Sequence, residues 1–295
     1  MKQLLAAIAL LIAAQATQTA QAAITVTDDD GNAVTLQKPA LRIISMAPHV
    51  TELLFAAGGG DRIVGAVSYS DYPEAAKQIP RIGDNRQIDM ERVIAMKPDL
   101  IVVWLHGSSE RQIETLRGLG IPMFHSEPKK LDDIADSLVR LGQLMGTENV
   151  AQPAAADLRQ KLAALTTQYA NRPKVRMFYQ VWDKPLYTLN GGHIVSDAMR
   201  LCGGDNIFAG MKVTAPVVSV EGVLQEDPEA IFGTSEKNYG GVNLWRQYTT
   251  MKAVRGNNLF TLDGNLLNRA GPRMIAGTAA LCEKLELARQ HRKGQ

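Results

Sequence analysis

The chain has no surplus of charge of either sign: 32 lysines and arginines stand against 30 aspartates and glutamates in 295 residues. Without a basic footprint it has no electrostatic surface for nucleic acid or an anionic membrane. Long hydrophobic runs are missing too. The one extended apolar stretch, residues 4–14, is about half of what a bilayer-spanning helix requires. Cysteine is scarce, confined to Cys202 and Cys282. The short signatures of common catalytic sites, G-x-x-x-x-G-K-[ST], H-E-x-x-H and G-x-S-x-G, do not occur. No carboxylate pair or Ser/His/Asp set stands out at motif spacing either. These absences favour binding over catalysis.

What is present begins with an export signal. Lys2 precedes the apolar stretch, and "QTAQA" follows with small residues at Ala20 and Ala22. Cleavage is expected after Ala22. No cysteine follows that site, so a lipid anchor is not expected there. Losing Lys2 with the leader leaves 31 basic against 30 acidic residues. The expected location is the periplasm. The apolar content of 45% is normal for a globular core. About 270 remaining residues exceed a typical domain of ~100–200, which predicts two lobes.

The stretch "RIISMAPHVTELLFAAGGGD", residues 42–61, reads as strand, loop and helix. Its loop holds a proline and a histidine where a phosphate cradle needs glycines. The three glycines come after the helix and read as its C-cap. A repeat accompanies this unit. "MERVIAMKPDLIVVW" (90–104) and "VEGVLQEDPEAIFGT" (220–234) share one grammar of helix, proline turn and β-rich run. "AAGGGDRIVG" is echoed by "RLCGGDNIFAG", and "LRGLGIPMF" by "VRGNNLFTL". Two copies of one α/β unit are expected.

Between the copies, residues 150–171 are rich in helix formers and stop before Pro173. They predict a helix of about 33 Å, a rigid connector in contrast to a Gly/Ser linker. The expected order is a signal at 1–22, an N-terminal lobe at 23–146, a connecting helix at 147–172 and a C-terminal lobe at 173–295. Each lobe should be a Rossmann-like α/β unit with a mainly parallel sheet covered on both faces. Ligands of such sheets sit beyond the carboxyl ends of the strands. That rule singles out the loops at 46–50, 67–73, 104–107, 181–185 and 265–273, which two facing lobes would bring into one cleft.

These blocks, together with "YSDYP", "CGGDNIF" and a "GPR" before the last helix, resemble the periplasmic cobalamin-binding proteins of ABC importers. Binders of haem and ferric siderophores share the architecture and part of the first block. The resemblance covers nearly the whole exported chain. It implies two Rossmann-like lobes joined by one long helix, and a corrinoid carried between them for an inner-membrane permease dimer. The ligand is cargo, so no resident cofactor and no metal is expected; a monomer is.

By the same resemblance, the loop with Pro48 and His49 helps to line the pocket. Tyr69 and Trp104 would form an aromatic wall, with ordinary strand-end packing as the other reading. Trp182 is a candidate second aromatic, and Asn265, Leu266, Leu267, Asn268 and Arg269 match a C-terminal ligand loop. The sequence departs from the cobalamin binders in having Leu266-Leu267 where they carry Trp-Phe, and Asn85 and Ala215 where they carry tryptophans. A related corrinoid, haem or a ferric siderophore therefore stays open as the ligand. An exported tetrapyrrole-modifying enzyme or a metal chaperone is the alternative from another class. His49, His106 and His193 fall on predicted loops and are read as solvated rather than as metal ligands. Cys202 and Cys282 are expected to form a disulfide in an oxidising compartment. Glu91 and Glu221 match surface acids that dock on the permease; helix capping is their other reading.

Overall fold

The computed structural model describes residues 22–84, 86–234 and 241–293. The expected signal, apart from Ala22, lies outside the described residues, as does Asn85. Residues 24–36 alternate around an Asp30-Gly31 turn and form an antiparallel hairpin of β1 (Ile24–Thr27) and β2 (Ala33–Leu36). Strands β3 (Ile43–Ser45), β4 (Ile63–Ala66), β5 (Leu100–Val103) and β6 (Met123–His125) follow. They are interleaved with helices α1 (Pro48–Ala56), α2 (Met90–Ala95) and α3 (Glu110–Arg117), and α4 (Asp133–Met145) closes the lobe. The four strands are parallel, in the order β4-β3-β5-β6.

The second half repeats this plan. Strands β7 (Val175–Gln180), β10 (Gly204–Asn206), β11 (Ala230–Thr234) and β12 (Leu259–Leu262) form a parallel sheet in the order β10-β7-β11-β12. A short hairpin, β8 (Trp182–Asp183) and β9 (Leu186–Tyr187), is inserted after β7. The helices are α6 (Ile194–Leu201), α7 (Val220–Glu226), α8 (Lys252–Arg255), α9 (Gly264–Leu267) and α10 (Met274–Lys293). In both sheets the second strand in sequence sits at one edge and the fourth at the other. The duplication reaches local detail. Asp89 and Ser219 cap α2 and α7 by accepting from the N–H of Arg92 and Gly222. Just past each helix a non-glycine residue, Lys97 or Asp227, adopts a left-handed φ of 46° or 43° ahead of Pro98 or Pro228.

The connecting helix α5 spans Glu148–Tyr169, 22 residues and about 33 Å. It starts two residues earlier than its composition predicts, which puts Pro153 beyond the first turn, where its missing N–H leaves the carbonyl of Asn149 without its helical partner. α4 and α5 approach closely at Gly142, where a Cβ would lie 2.3 Å from that of Ala151. The triple glycine is a C-cap: Gly58 has φ +84°, its N–H donates to Phe55 and that of Gly59 to Leu54.

Strand residues alternate between layers on both faces. Ile43, Leu100 and Val102 face one apolar cluster, while Ile44, Ile101 and Val103 face another. In the second sheet Met177 and Phe232 join the first cluster, and Phe178 and Ile231 a third. The first cluster is continuous from Ile43 and Leu138 through Ala151, Ala155 and Leu158 of α5 to Val175, Met199 and Leu285. Both lobes therefore share one core along the connecting helix, which resists a wide hinge.

Candidate functional site

β3 runs almost directly into α1. Pro48 takes the first helical position, where a missing N–H costs nothing. The loop expected to reach Val50 is thus only Met46 and Ala47, and His49 lies in the first helical turn. His49 is 6% exposed, which corrects its reading as a solvated loop residue. Burial pulls its pKa down to about 4 against a smaller opposing pull from the Ser126 carbonyl and Glu127. The neutral ring places Nε2 3.3 Å from the Ser126 oxygen, to which it donates. The same ring meets Trp104 edge-on, with centroids 5.5 Å apart at 88°. Gly107 packs directly against the indole, where a Cβ would come within 1.9 Å of the ring. Trp104 is therefore partly buried and preset.

Tyr69 is the opposite case. It is 77% exposed and has φ 66°, a conformation that a bulky L residue adopts at a cost. A large ring kept in water on a strained backbone, at the carboxyl end of the sheet, is a feature of binding loops. Tyr72 nearby is half-exposed and stacks under Arg273, whose guanidinium lies 3.9 Å from the ring centroid.

That arginine belongs to a bridge between the lobes. Glu52 of α1, with only 2% of its side chain exposed, accepts two hydrogen bonds from Arg273, at 2.9 Å from Nε and 2.6 Å from Nη2. Arg269 adds a contact to Glu52 at 3.3 Å and a closer one to Asp71 at 2.6 Å. The hydrogen bond to Glu52 raises the Arg273 pKa in spite of burial. Burial pushes the Asp71 carboxyl up, but the hydrogen bond and charge of Arg269 outweigh it and hold it below its usual range. Arg269, expected on the ligand loop, is thus engaged by acids of the facing lobe. A second tie runs from the Leu131 N–H to Asp197 of α6 at 2.9 Å.

Within 265–269 the environments differ. Asn265 is exposed, Leu266 partly so, and Leu267 is 1% exposed in the shared core, so it supports the loop from beneath. Asn268 accepts from the Tyr179 hydroxyl at 2.7 Å. On the C-terminal lobe, residues 214–218 run beside β9 through bonds from Val218 to Leu186 and from Thr188 to Pro216. Trp182 pairs with Tyr187, and Tyr187 bridges to Val217, which gathers them on one small antiparallel patch. Val213 and Val217, 62% and 54% exposed, carry no signal in sequence that would have picked them out. Ala215 is exposed in the same segment.

Histidine chemistry clusters after β5 and β6. His125 ends β6, is buried, and has Asp30 2.8 Å from Nδ1 and Glu127 3.3 Å from Nε2. Neither contact is aligned along the ring N–H direction, so both ring nitrogens lack a true hydrogen bond. Burial lowers its pKa, and the carboxylates of Glu127 and Asp30 outweigh that to raise it. His106 is exposed and its Nδ1 touches Glu127 Oε2. His193 is partly buried rather than solvated; its Nδ1 accepts from the Val195 N–H, and burial lowers its pKa to about 4.

Glu91 and Glu221 are both exposed in the second position of their helices, and neither forms an ion pair among the described residues. Glu91 also borders an open recess of about 600 Å³, shared with Ser68, Gly83, Gln87 and Met90. Cys202 and Cys282 form a disulfide between the end of α6 and the middle of α10, fully buried, with Cα atoms 4.7 Å apart.

The geometry has counterparts in known proteins. The family profile described as periplasmic binding protein matches residues 43–266. The vitamin B12-binding protein of Vibrio cholerae serotype O1 is 41% identical over 253 residues, 85% of this chain and 91% of that one. The crystal structure of the periplasmic vitamin B12 binding protein BtuF of Vibrio cholerae superposes with a TM-score of 0.80 at 40% identity, over 85% of this chain and 98% of that chain. The periplasmic heme-binding protein RhuT of Roseiflexus sp. RS-1 shares the fold, with a TM-score of 0.73 at 23% identity over 84% and 98% of the two chains. With two parallel sheets, one connecting helix and a family match across most of its length, this chain belongs to the periplasmic binding proteins.

Proposed function

We propose that this protein captures a corrinoid, cobalamin foremost, between its lobes in the periplasm and delivers it unchanged to an inner-membrane ABC importer. The observation that carries the reading is the 41% identity, spread over both lobes, to a protein named for binding vitamin B12. Geometry supports it. Tyr69 offers a free aromatic face, Trp104 a preset one, and Trp182 a third on the opposite lobe. Large rings bury area with little loss of entropy, which suits a wide planar ligand. The shared core and the Glu52 bridge imply capture with little lobe movement. Exposed Glu91 and Glu221, at matching places in the two copies, suit a permease with two related subunits. Such pairs steer encounter and orientation more than they add affinity.

Visible-spectrum titration and calorimetry with cobalamin, cobinamide and haem test the reading. Stoichiometric binding of an unchanged corrinoid is the expected result. Haem bound in its place makes this a haem carrier, the reading left open by Leu266, Leu267 and Ala215. Turnover or loss of the central metal makes it an enzyme or chaperone and overturns the proposal.

A further inference from the structure

The geometry points to a divalent transition-metal site, of zinc type, formed by His106, His125 and Glu127 at the carboxyl edge of the N-terminal sheet. One ligand atom from each of the three lies within 4.8 Å of the others. Two imidazoles and a carboxylate are a donor set suited to zinc, with a fourth position left to water. His125 Nε2 and Glu127 Oε2 are 3.3 Å apart. That is about the edge of a tetrahedron whose centre lies ~2.0–2.1 Å from each ligand, the usual zinc distance. His106 sits closer to Glu127 than such an edge allows, and its exposed ring can swing outward to open the space.

A second observation is independent of that spacing. The buried His125 ring has no aligned hydrogen bond at either nitrogen, although such groups are normally satisfied. Asp30 lies 2.8 Å from Nδ1, on the side away from Glu127. A small rotation would let Asp30 accept from Nδ1–H while Nε2 faces the ion, the usual support of a metal-binding histidine. Glu127 is anchored as well, because its N–H donates to Asp29, which is paired with Arg140. The fold therefore fixes two of the three donors and leaves the third adjustable.

The position gives the site a consequence. Ser126, between the two fixed donors, accepts from His49, and His49 abuts Trp104. An ion holding His125 and Glu127 would stiffen the loop under that ring. The proposal does not depend on the corrinoid reading, and its test uses no corrinoid.

Untagged protein, stripped with a chelator, is titrated with Zn²⁺ in competition with a chromophoric chelator. One equivalent is expected. His106→Gln and Glu127→Gln should each weaken it at least tenfold, while His291→Gln, far along α10, leaves it unchanged. Circular dichroism confirms that each variant is folded, and the exposed His106 supplies a change that the fold tolerates. Absence of binding to the parent, or equal affinity in parent and both ligand variants, overturns the site.

Discussion

Replacing Glu52 by Gln should cost about 3 kcal/mol of stability, although it changes one atom of the side chain. The glutamate is 2% exposed and satisfies Arg273 through two bonds and Arg269 through a third contact. An amide oxygen can still accept one of these, but the amide N–H₂ then faces guanidinium donors. Removing one member of a buried ion pair costs ~3–5 kcal/mol, chiefly because the remaining charge is left buried and unpaired. The lower end applies here, since Arg269 keeps Asp71 and Arg273 keeps the face of Tyr72. Asp71→Asn is the internal contrast. Its side chain is 48% exposed, so its pair with Arg269 should contribute ~1 kcal/mol or less.

The assay is denaturant unfolding at pH 7 without reductant, in low and high salt. The shared core predicts one cooperative transition for both lobes, so midpoints can be compared at constant slope. The Glu52 effect should survive salt, because buried charges are poorly screened. A double-mutant cycle with Arg273→Met should give a coupling of at least ~1.5 kcal/mol. A loss below about 1 kcal/mol, or additive single effects, would show that the bridge is not what holds the lobes.

Four further outcomes are expected. Thiol titration of denatured, unreduced protein should find no free thiol, and Cys202→Ala with Cys282→Ala should lower stability by up to ~4.5 kcal/mol for a separation of 80 residues. Tyr69→Ala and Trp104→Ala should each weaken corrinoid binding by roughly 2 kcal/mol with the fold intact; unchanged affinity in both moves the site elsewhere. Acidification should destabilise the protein from about pH 6.5 towards 4, because His49 and His193 bind protons more readily unfolded than at their folded values of about 4. Each contributes ~2 kcal/mol of loss by pH 5, opposed by His125, whose raised pKa stabilises the fold at low pH and whose contribution fades as pH rises. Stability that is flat or rising on acidification contradicts the burial of those two rings; His49→Gln with His193→Asn should flatten the decline. Glu91→Ala with Glu221→Ala should leave ligand affinity unchanged and reduce transporter-stimulated ATP hydrolysis; full stimulation leaves both acids as helix-end charges only.

The architecture was legible because its signals are local. A helix, a proline and a β-rich run recur at 90–104 and 220–234, and they become α2-β5 and α7-β11. Glycines after an apolar helix announce a C-cap, and a 22-residue run of helix formers announces the connector. Local rules compete at Pro48: the strand-end rule assigns it to a loop over 46–50, but at a first helical position proline begins a helix. The alternation around Asp30-Gly31 is too short to mark its place in the fold, and only the packed hairpin puts Asp30 behind His125.

The site was legible only as a set of loops. The strand-end rule brings Tyr69, Trp104, Trp182 and residues 265–269 to one side of their sheets, yet it says nothing of which side chains are already committed. Arg269 shows the difference. Its position in sequence suggests a ligand contact, and its partners, Glu52 and Asp71, lie 217 and 198 residues away. No periodicity links residues at such distances; only the packing of one lobe on the other does. The histidines follow the same logic. The loop positions of His49 and His193 suggest exposure, whereas α1 buries His49 against Trp104 and burial lowers the pKa of both rings to about 4. Burial turns a neutral description, a histidine on a loop, into chemistry: His49 becomes an uncharged donor to the Ser126 carbonyl, and His193 an uncharged acceptor at the start of α6.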